Sequence, residues 1–194
     1  MAKKSIRNSW ASYLRGDKLE DNFISSTNLM GEELTGIVLG IDSSLRSSGF
    51  SIISYSKGEA RLLESITLKL KSKLSTPNCL GRIANQVIGI LNNYNILHVA
   101  IEQTIYVQNF QTAQILGAAK GASIAPAAMA NVPVFEYAPL RVKQAVVGKG
   151  SASKDQVAKT VGLILGTDFK SQYDESDASA VALCHCFTFK EVPS

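Results

Sequence analysis

Ile37-Val38-Leu39-Gly40-Ile41-Asp42-Ser43-Ser44 is an apolar run that ends in one aspartate and passes into a serine loop. A strand buried on both faces reads as a continuous apolar run rather than an alternation, so this stretch predicts a central strand. A carboxylate at the end of such a strand is costly unless something pairs with it. Leu97-His98-Val99-Ala100-Ile101-Glu102 repeats the pattern, apolar and closed by a carboxylate.

Between these two runs, Gly49–Tyr55 and Ala60–Leu70 read as strands joined at Lys57-Gly58-Glu59, which makes an antiparallel meander with the first. In the third strand the alternation places Leu62, Glu64, Ile66, Leu68 and Leu70 on one side. Ser75-Thr76-Pro77-Asn78 signals a helix start, and Leu80, Ile83, Ala84, Val87, Ile88 and Leu91 give that helix one apolar face. An Ala/Gly-rich helix is predicted from about 109 to 130, then a fifth strand over Val132–Tyr137 with Pro133 at its start. Pro139 opens a short helix to Val147, Ser153 and Gln156 form a capping box for the next, and Tyr173-Asp174-Glu175-Ser176-Asp177 opens the last. This order predicts an α/β fold: a five-stranded mixed sheet, a three-strand meander plus two parallel strands, flanked by helices. A right-handed crossover sets the fourth strand parallel to the first and brings Asp42 beside Glu102.

Residues 1–35 lack sustained periodicity and predict an N-terminal extension to a domain spanning 36–190. Lys3, Lys4, Arg7 and Arg15 precede any acid, as in an organelle transit peptide, but Asp17, Glu20 and Asp21 argue against one. A basic arm is the functional reading of this segment and a plain tail the simpler one. The net charge is +4, with 15 basic and 11 acidic residues after position 36, a balance suited to a polyanionic partner. No apolar run approaches the ~20 residues of a membrane helix, so no membrane association and a cytoplasmic setting are expected. Cys79, Cys184 and Cys186 are too few and too irregular for a disulfide framework. Cys184-His185-Cys186 diverge on a helix and read as small buried residues, and His98 as a satisfied histidine.

Four acids resist explanation as solvated surface: Asp42, Glu102, Asp174 and Asp177. The first two end apolar strands. The other two stand at i and i+3 on one helix face, where they could equally serve as N-terminal acids for the helix dipole. If all four converge, like charges need a counter-ion. A hard cation with oxygen ligands resolves this, and Mg²⁺ is the default beside phosphate. Two such ions ~3.5–4 Å apart would activate water at a phosphodiester. Zinc is disfavoured, because no Cys/His set has zinc spacing.

Gly40-Ile41-Asp42, Ala100-Ile101-Glu102-Gln103, Val132-Pro133-Val134-Phe135-Glu136-Tyr137, Val146-Val147-Gly148-Lys149-Gly150-Ser151-Ala152-Ser153-Lys154 and Asp174-Glu175-Ser176-Asp177 resemble, in one colinear order, the bacterial Holliday-junction resolvase family RuvC. The resemblance implies an RNase H-like fold, a homodimer with two active sites, and paired symmetric nicks in four-way DNA junctions. It implies Asp42, Glu102, Asp174 and Asp177 as metal-binding catalytic carboxylates for Mg²⁺, with Mn²⁺ as a substitute and two ions per site. Lys143 and Lys154 match the family's motif lysines near the scissile DNA. Arg141, Lys149, Ser151 and Ser153 are added as DNA-backbone contacts. The helix over 109–130 is the expected dimer seam, with packing on its own sheet as the plainer reading. The family works in bacteria with the branch-migration proteins RuvA and RuvB, which are therefore candidate partners.

The sequence departs from the family at Ser43-Ser44, where Pro-Gly is usual, and at Ile105, where an aromatic residue is usual for unstacked bases. Tyr106 is the candidate for that stacking role, with Ile105 as an apolar wedge. Two alternatives stand beside the resolvase: another RNase H-like nuclease acting on RNA or branched DNA, and a junction-binding dimer with weak catalysis. An actin-like ATPase shares Gly-Ile-Asp, but the chain is too short for its two subdomains.

Overall fold

The structure is a computed structural model that describes residues 34–104, 109–169 and 172–190. Its elements in chain order are β1 (Gly36–Asp42), β2 (Ser47–Ser56), β3 (Glu59–Lys69), α1 (Thr76–Asn93), β4 (Ile96–Glu102), α2 (Phe110–Met129), β5 (Val134–Tyr137), α3 (Pro139–Val147), α4 (Lys154–Leu165) and α5 (Tyr173–Thr188). The strands form one sheet in the order β3-β2-β1-β4-β5. β1–β2 and β2–β3 pair antiparallel, and β1–β4 and β4–β5 pair parallel. This is the mixed sheet expected from the sequence, with β1 at its centre.

Alternation along each strand sends side chains to two cores. On one face Val38, Ile53, Ala100 and Tyr137 pack with Val142 of α3, Val161 of α4 and Leu183 of α5. On the other, Leu39, Ile41, Phe50, Ile52, Val99 and Ile101 pack with Val87 and Ile90 of α1 and Ala127 of α2. Val38, Leu39 and Ile41 are fully buried, which is why β1 has no polar side in its sequence.

β3 departs from the simple alternation. The ladder shifts between Ile52 and Ile53, so that Ile52 faces Glu64 while Ile53 faces Leu62. Leu63 is the extra residue of a β-bulge, and one extra residue reverses the facing of everything beyond it. Leu62 therefore packs with the α5 core, whereas Ile66 and Leu68 pack with the α1 core. The expected shared face of Leu62 with Ile66 and Leu68 is corrected accordingly.

Helix α5 is buried along most of its length and lies flat on β1 and β2. Two glycines allow that approach. A Cβ on Gly40 would overlap the Ala178 carbonyl, and one on Gly49 would overlap the Asp174 carbonyl. The Ser51 and Ser179 hydroxyls hydrogen-bond at 2.7 Å across the same interface. Further along α5, His185 is fully buried. Its ring joins Tyr137 Oη at 2.7 Å and His98 Nδ1 at 3.0 Å, a chain that satisfies all three polar groups. Burial first, then His98, pushes His185 down to about 3, so it stays neutral. Cys184 and Cys186 are buried beside it, as small core residues.

Candidate active site

The parallel register pairs Ile41 with Ile101, so the next residues, Asp42 and Glu102, end their strands side by side. Each lies an even number of residues from Val38 and Ala100, and so points to the face covered by α5. The first turn of α5 begins at Tyr173 and carries Asp174 and Asp177. The ladder partner of Asp42 is Gly49, and Gly49 lies against the Asp174 backbone. Two strand ends and one helix start are thereby brought to the same edge of the sheet, although 132 residues of sequence separate Asp42 from Asp174.

The electrostatics follow from that crowding. Asp42 is held up at about 7, first by burial, then by the charges of Asp177, Glu102 and Asp174, with Lys154 opposing. Burial and Asp177 also raise Glu102, against the pull of Lys154 and Lys143. Both motif lysines thus act on Glu102 from different helices, and Lys154 acts on Asp42 as well. Lys154 Nζ donates to Asp177 Oδ2 at 3.0 Å, and that bond and charge raise the lysine in turn. The lysine side chain is 72% exposed, so the pair contributes little to stability but fixes where the ammonium sits.

Hydroxyl groups organise the rest. Ser47 Oγ donates to Asp174 Oδ2. Ser65 and Thr67 of β3 donate to the Glu175 carboxylate, which turns it away from the other acids and anchors the start of α5. The β1–β2 loop closes on itself: Ser44 Oγ donates to Ser47 O at 2.7 Å, and Ser48 Oγ donates to Ser44 O at 2.5 Å. Ser43 Oγ meets Ser123 Oγ of α2 at 3.1 Å. Neither Ser43 nor Ser44 has a positive φ, so the loop does not need the glycine usual there. The repeated Ser-Ser of Ser43-Ser44-Leu45-Arg46-Ser47-Ser48 was the one available hint of this network.

The other expected contacts lie around this centre. Arg141 stacks over the Tyr137 ring with its guanidinium carbon 5.5 Å from the centroid. Lys149 and Ser151 are exposed in the α3–α4 loop, which turns through a left-handed Gly148. Ser153 caps α4, its Oγ accepting from Gln156 N at 3.2 Å, which leaves its own proton able to donate to a phosphate. Ile105 and Tyr106 lie outside the described residues. A cleft of about 280 Å³ opens beside Asp42 and Glu102, bounded by Ser43, Ser44, Lys120 and Pro139.

Among the described residues no three His, Cys, Asp or Glu side chains stand together as a group that could hold a metal ion as they are placed. The donor set nonetheless suits a hard divalent cation: four carboxylates of like charge, Asp42 and Glu102 raised by burial and then by their acidic neighbours, all offering oxygen.

A family profile described as "Crossover junction endodeoxyribonuclease RuvC" matches residues 38–185. The chain is 39% identical over 153 residues to the protein of that name from Alkaliphilus oremlandii, covering 78% of this chain and 93% of the relative. It is 36% identical over 151 residues to the one from Akkermansia muciniphila, covering 78% and 90%. Among solved structures it resembles "T. thermophilus RuvC in complex with Holliday junction substrate" with a TM-score of 0.74 and 33% identity, covering 78% of this chain and 93% of that one. The yeast mitochondrial Holliday junction resolvase Ydc2, at 16% identity and TM-score 0.57, shares the fold.

Proposed function

The chain belongs to the RuvC family of crossover junction endodeoxyribonucleases, it is accordingly a structure-selective DNA endonuclease that resolves Holliday junctions, and we propose that Asp42, Glu102, Asp174 and Asp177 are the carboxylates with which it cuts. The observation that carries this reading is the convergence of three chain segments on one sheet edge, with Asp42 held up at about 7 by burial and then by its acidic neighbours. A charge cluster of that kind is costly in a fold that needs only stability, and it suits a site built to bind cations.

Asp42, Glu102, Asp174 and Asp177 would hold Mg²⁺, or Mn²⁺ in its place, as one or two ions. When bound, such ions supply an activated water and stabilise the leaving oxygen of a phosphodiester. The protein's own groups do the positioning. Ser47 holds one Asp174 oxygen, so the carboxylate presents the other. Lys154, resting at Asp177, and Lys143, acting on Glu102, set two ammonium groups beside the carboxylates. There they orient a phosphate and offset charge that develops on its oxygens. Arg141, Lys149, Ser151 and Ser153 extend this donor set along the DNA backbone, and Ile105 or Tyr106 takes the unstacked base.

The nicks are paired and symmetric if the enzyme is a homodimer, and α2 supports that reading. Gly117 and Gly121 are exposed, and a Cβ on either would meet nothing within 4 Å, so their smallness serves no packing inside the protomer. Phe110 and Met129 are 73% and 84% exposed at the two ends of the same helix. Residues 1–35 are read as an extension to the nuclease domain at 36–190, and RuvA and RuvB as partners in branch migration. Among the described residues no helix is long and apolar enough to cross a membrane.

The test is a synthetic four-way junction incubated with Mg²⁺ and protein. Paired nicks from the wild type and none from Asp42→Asn support the assignment; cleavage that survives Asp42→Asn refutes it. A duplex and an RNA–DNA hybrid in the same assay separate a junction resolvase from a general RNase H-like nuclease. Tight binding without cleavage by the wild type would favour the binding-only alternative, against which the intact set of Asp42, Glu102, Asp174 and Asp177 argues.

A further inference from the structure

The sheet order gives the carboxylate edge two flanks. On the β5 side stand Arg141, over the Tyr137 ring, and Lys143, which acts on Glu102. On the β3 side, Lys69 ends its strand opposite Ser47. Directly opposed residues point to the same face of a sheet. Lys69 therefore shares the face on which Ser47 bonds Asp174 and on which Ser65 and Thr67 bond Glu175. The chain then turns, with Leu74 N donating to Lys71 O at 3.0 Å. Arg46 Nη1 also donates to Lys71 O, at 2.8 Å, and Leu70 N donates to Arg46 O at 2.8 Å. The loop bearing Lys71 and Lys73 is thus tied to the same β1–β2 connection that carries the catalytic-edge serines.

Lys69, Lys71 and Lys73 are exposed, and none is ion-paired to another described residue. Nor is their charge cancelled along the chain, because Ser65 through Ile101 contains no Asp or Glu. Neighbouring strands stand ~4.8 Å apart, so β3 lies roughly 10 Å from β1. At ~3.4 Å of helix axis per phosphate of one DNA strand, that distance corresponds to about three nucleotides of duplex.

We infer that Lys69, Lys71 and Lys73 form a phosphate-binding track on the β3 side of the carboxylates, holding a junction strand about three nucleotides from the scissile phosphate and opposite the Arg141 and Lys143 flank. The inference rests on the resolvase reading above. Arg46 anchors the track, its Nη1 donating to the Lys71 carbonyl and to Cys79 Sγ.

The test compares the full-length triple variant K69Q/K71Q/K73Q with K57Q/R61Q, which removes charge from the opposite end of the same hairpin. Binding to a labelled four-way junction is measured in metal-free buffer at several salt concentrations. Each lost phosphate contact reduces the slope of log K against log salt by ~0.9. The triple variant should flatten the slope by about 2.7, so that between 50 and 200 mM salt the wild type loses about 40-fold more affinity than the variant. The K57Q/R61Q slope should stay at the wild-type value. A triple variant with the wild-type slope, or a control that flattens it equally, overturns the track. If the wild type itself does not prefer the junction over a duplex, the resolvase reading has failed instead, and the two failures are distinct.

Discussion

Replacing Asp42 by Asn should stabilise the metal-free protein while abolishing cleavage. In the folded chain the Asp42 carboxyl is held at about 7 rather than 3.8, so the fold binds a proton there more tightly than the unfolded chain does. Stability contributed by the protonated form is present in full below pH ~4, falls as pH rises, and is lost above pH ~7. The gap corresponds to about 4 kcal/mol, and because the side chain is only partly buried, solvent reduces this to roughly 2–4 kcal/mol. Asn has nearly the same shape and no charge. For a chain of this size each kcal/mol moves the melting temperature by ~2–4 °C, so at pH 8 the variant should melt on the order of 5–15 °C higher. The difference should shrink towards zero near pH 4. Thermal unfolding followed by circular dichroism in the presence of a chelator, from pH 4 to 8, measures it. Added Mg²⁺ should then raise the wild type but not the variant, since a ligand stabilises only the state that binds it. An Asn variant no more stable than wild type at pH 8, or a gap independent of pH, would refute the claim that burial and crowding together hold the Asp42 carboxyl up.

Three further outcomes follow from the same geometry. Gly40→Ala should cost about 1–3 kcal/mol and most of the cleavage activity, because the new methyl pushes α5 off β1 and carries Asp174 and Asp177 with it; chemical denaturation and junction cleavage report the two effects. Ser47→Ala should cost about 1 kcal/mol in stability and raise the Mg²⁺ concentration needed for half-maximal cleavage, since Asp174 loses the donor that orients it; an unchanged metal requirement counts against the positioning role. Gly117→Leu should leave the protomer's fold intact, because nothing lies within 4 Å of its Cβ, yet reduce the mass seen by light scattering to that of a monomer; a variant that remains dimeric removes α2 as the seam.

Much of the fold was legible because its signals are local. The apolar run of β1 and its repeat in β4 needed only the burial rule, and the capping box at Ser153 and Gln156 appears as the spacing predicts. Where a signal depended on the count of residues between pairs, the reading slipped. The bulge at Leu63 changes facing by one residue, and no local preference marks it. Ser75 stands at the start of α1 but makes no side-chain cap bond, because the same residue type serves loops equally well.

By itself the sequence determined which residues are acids out of place. Asp42 and Glu102 end strands too apolar to hold a charge without purpose, and the colinear motifs around them identify the family. Only the tertiary structure decided that these acids meet Asp174 and Asp177, and how. That meeting depends on α5 lying flat against Gly40 and Gly49, on the β3 hydroxyls that turn Glu175 aside, and on Ser47 reaching Asp174. The reason is physical: a strand's end is written in its own hydrophobic pattern, whereas the approach of a helix to a sheet is set by missing side chains on one partner and small polar groups on the other, and neither has meaning until the two are brought together.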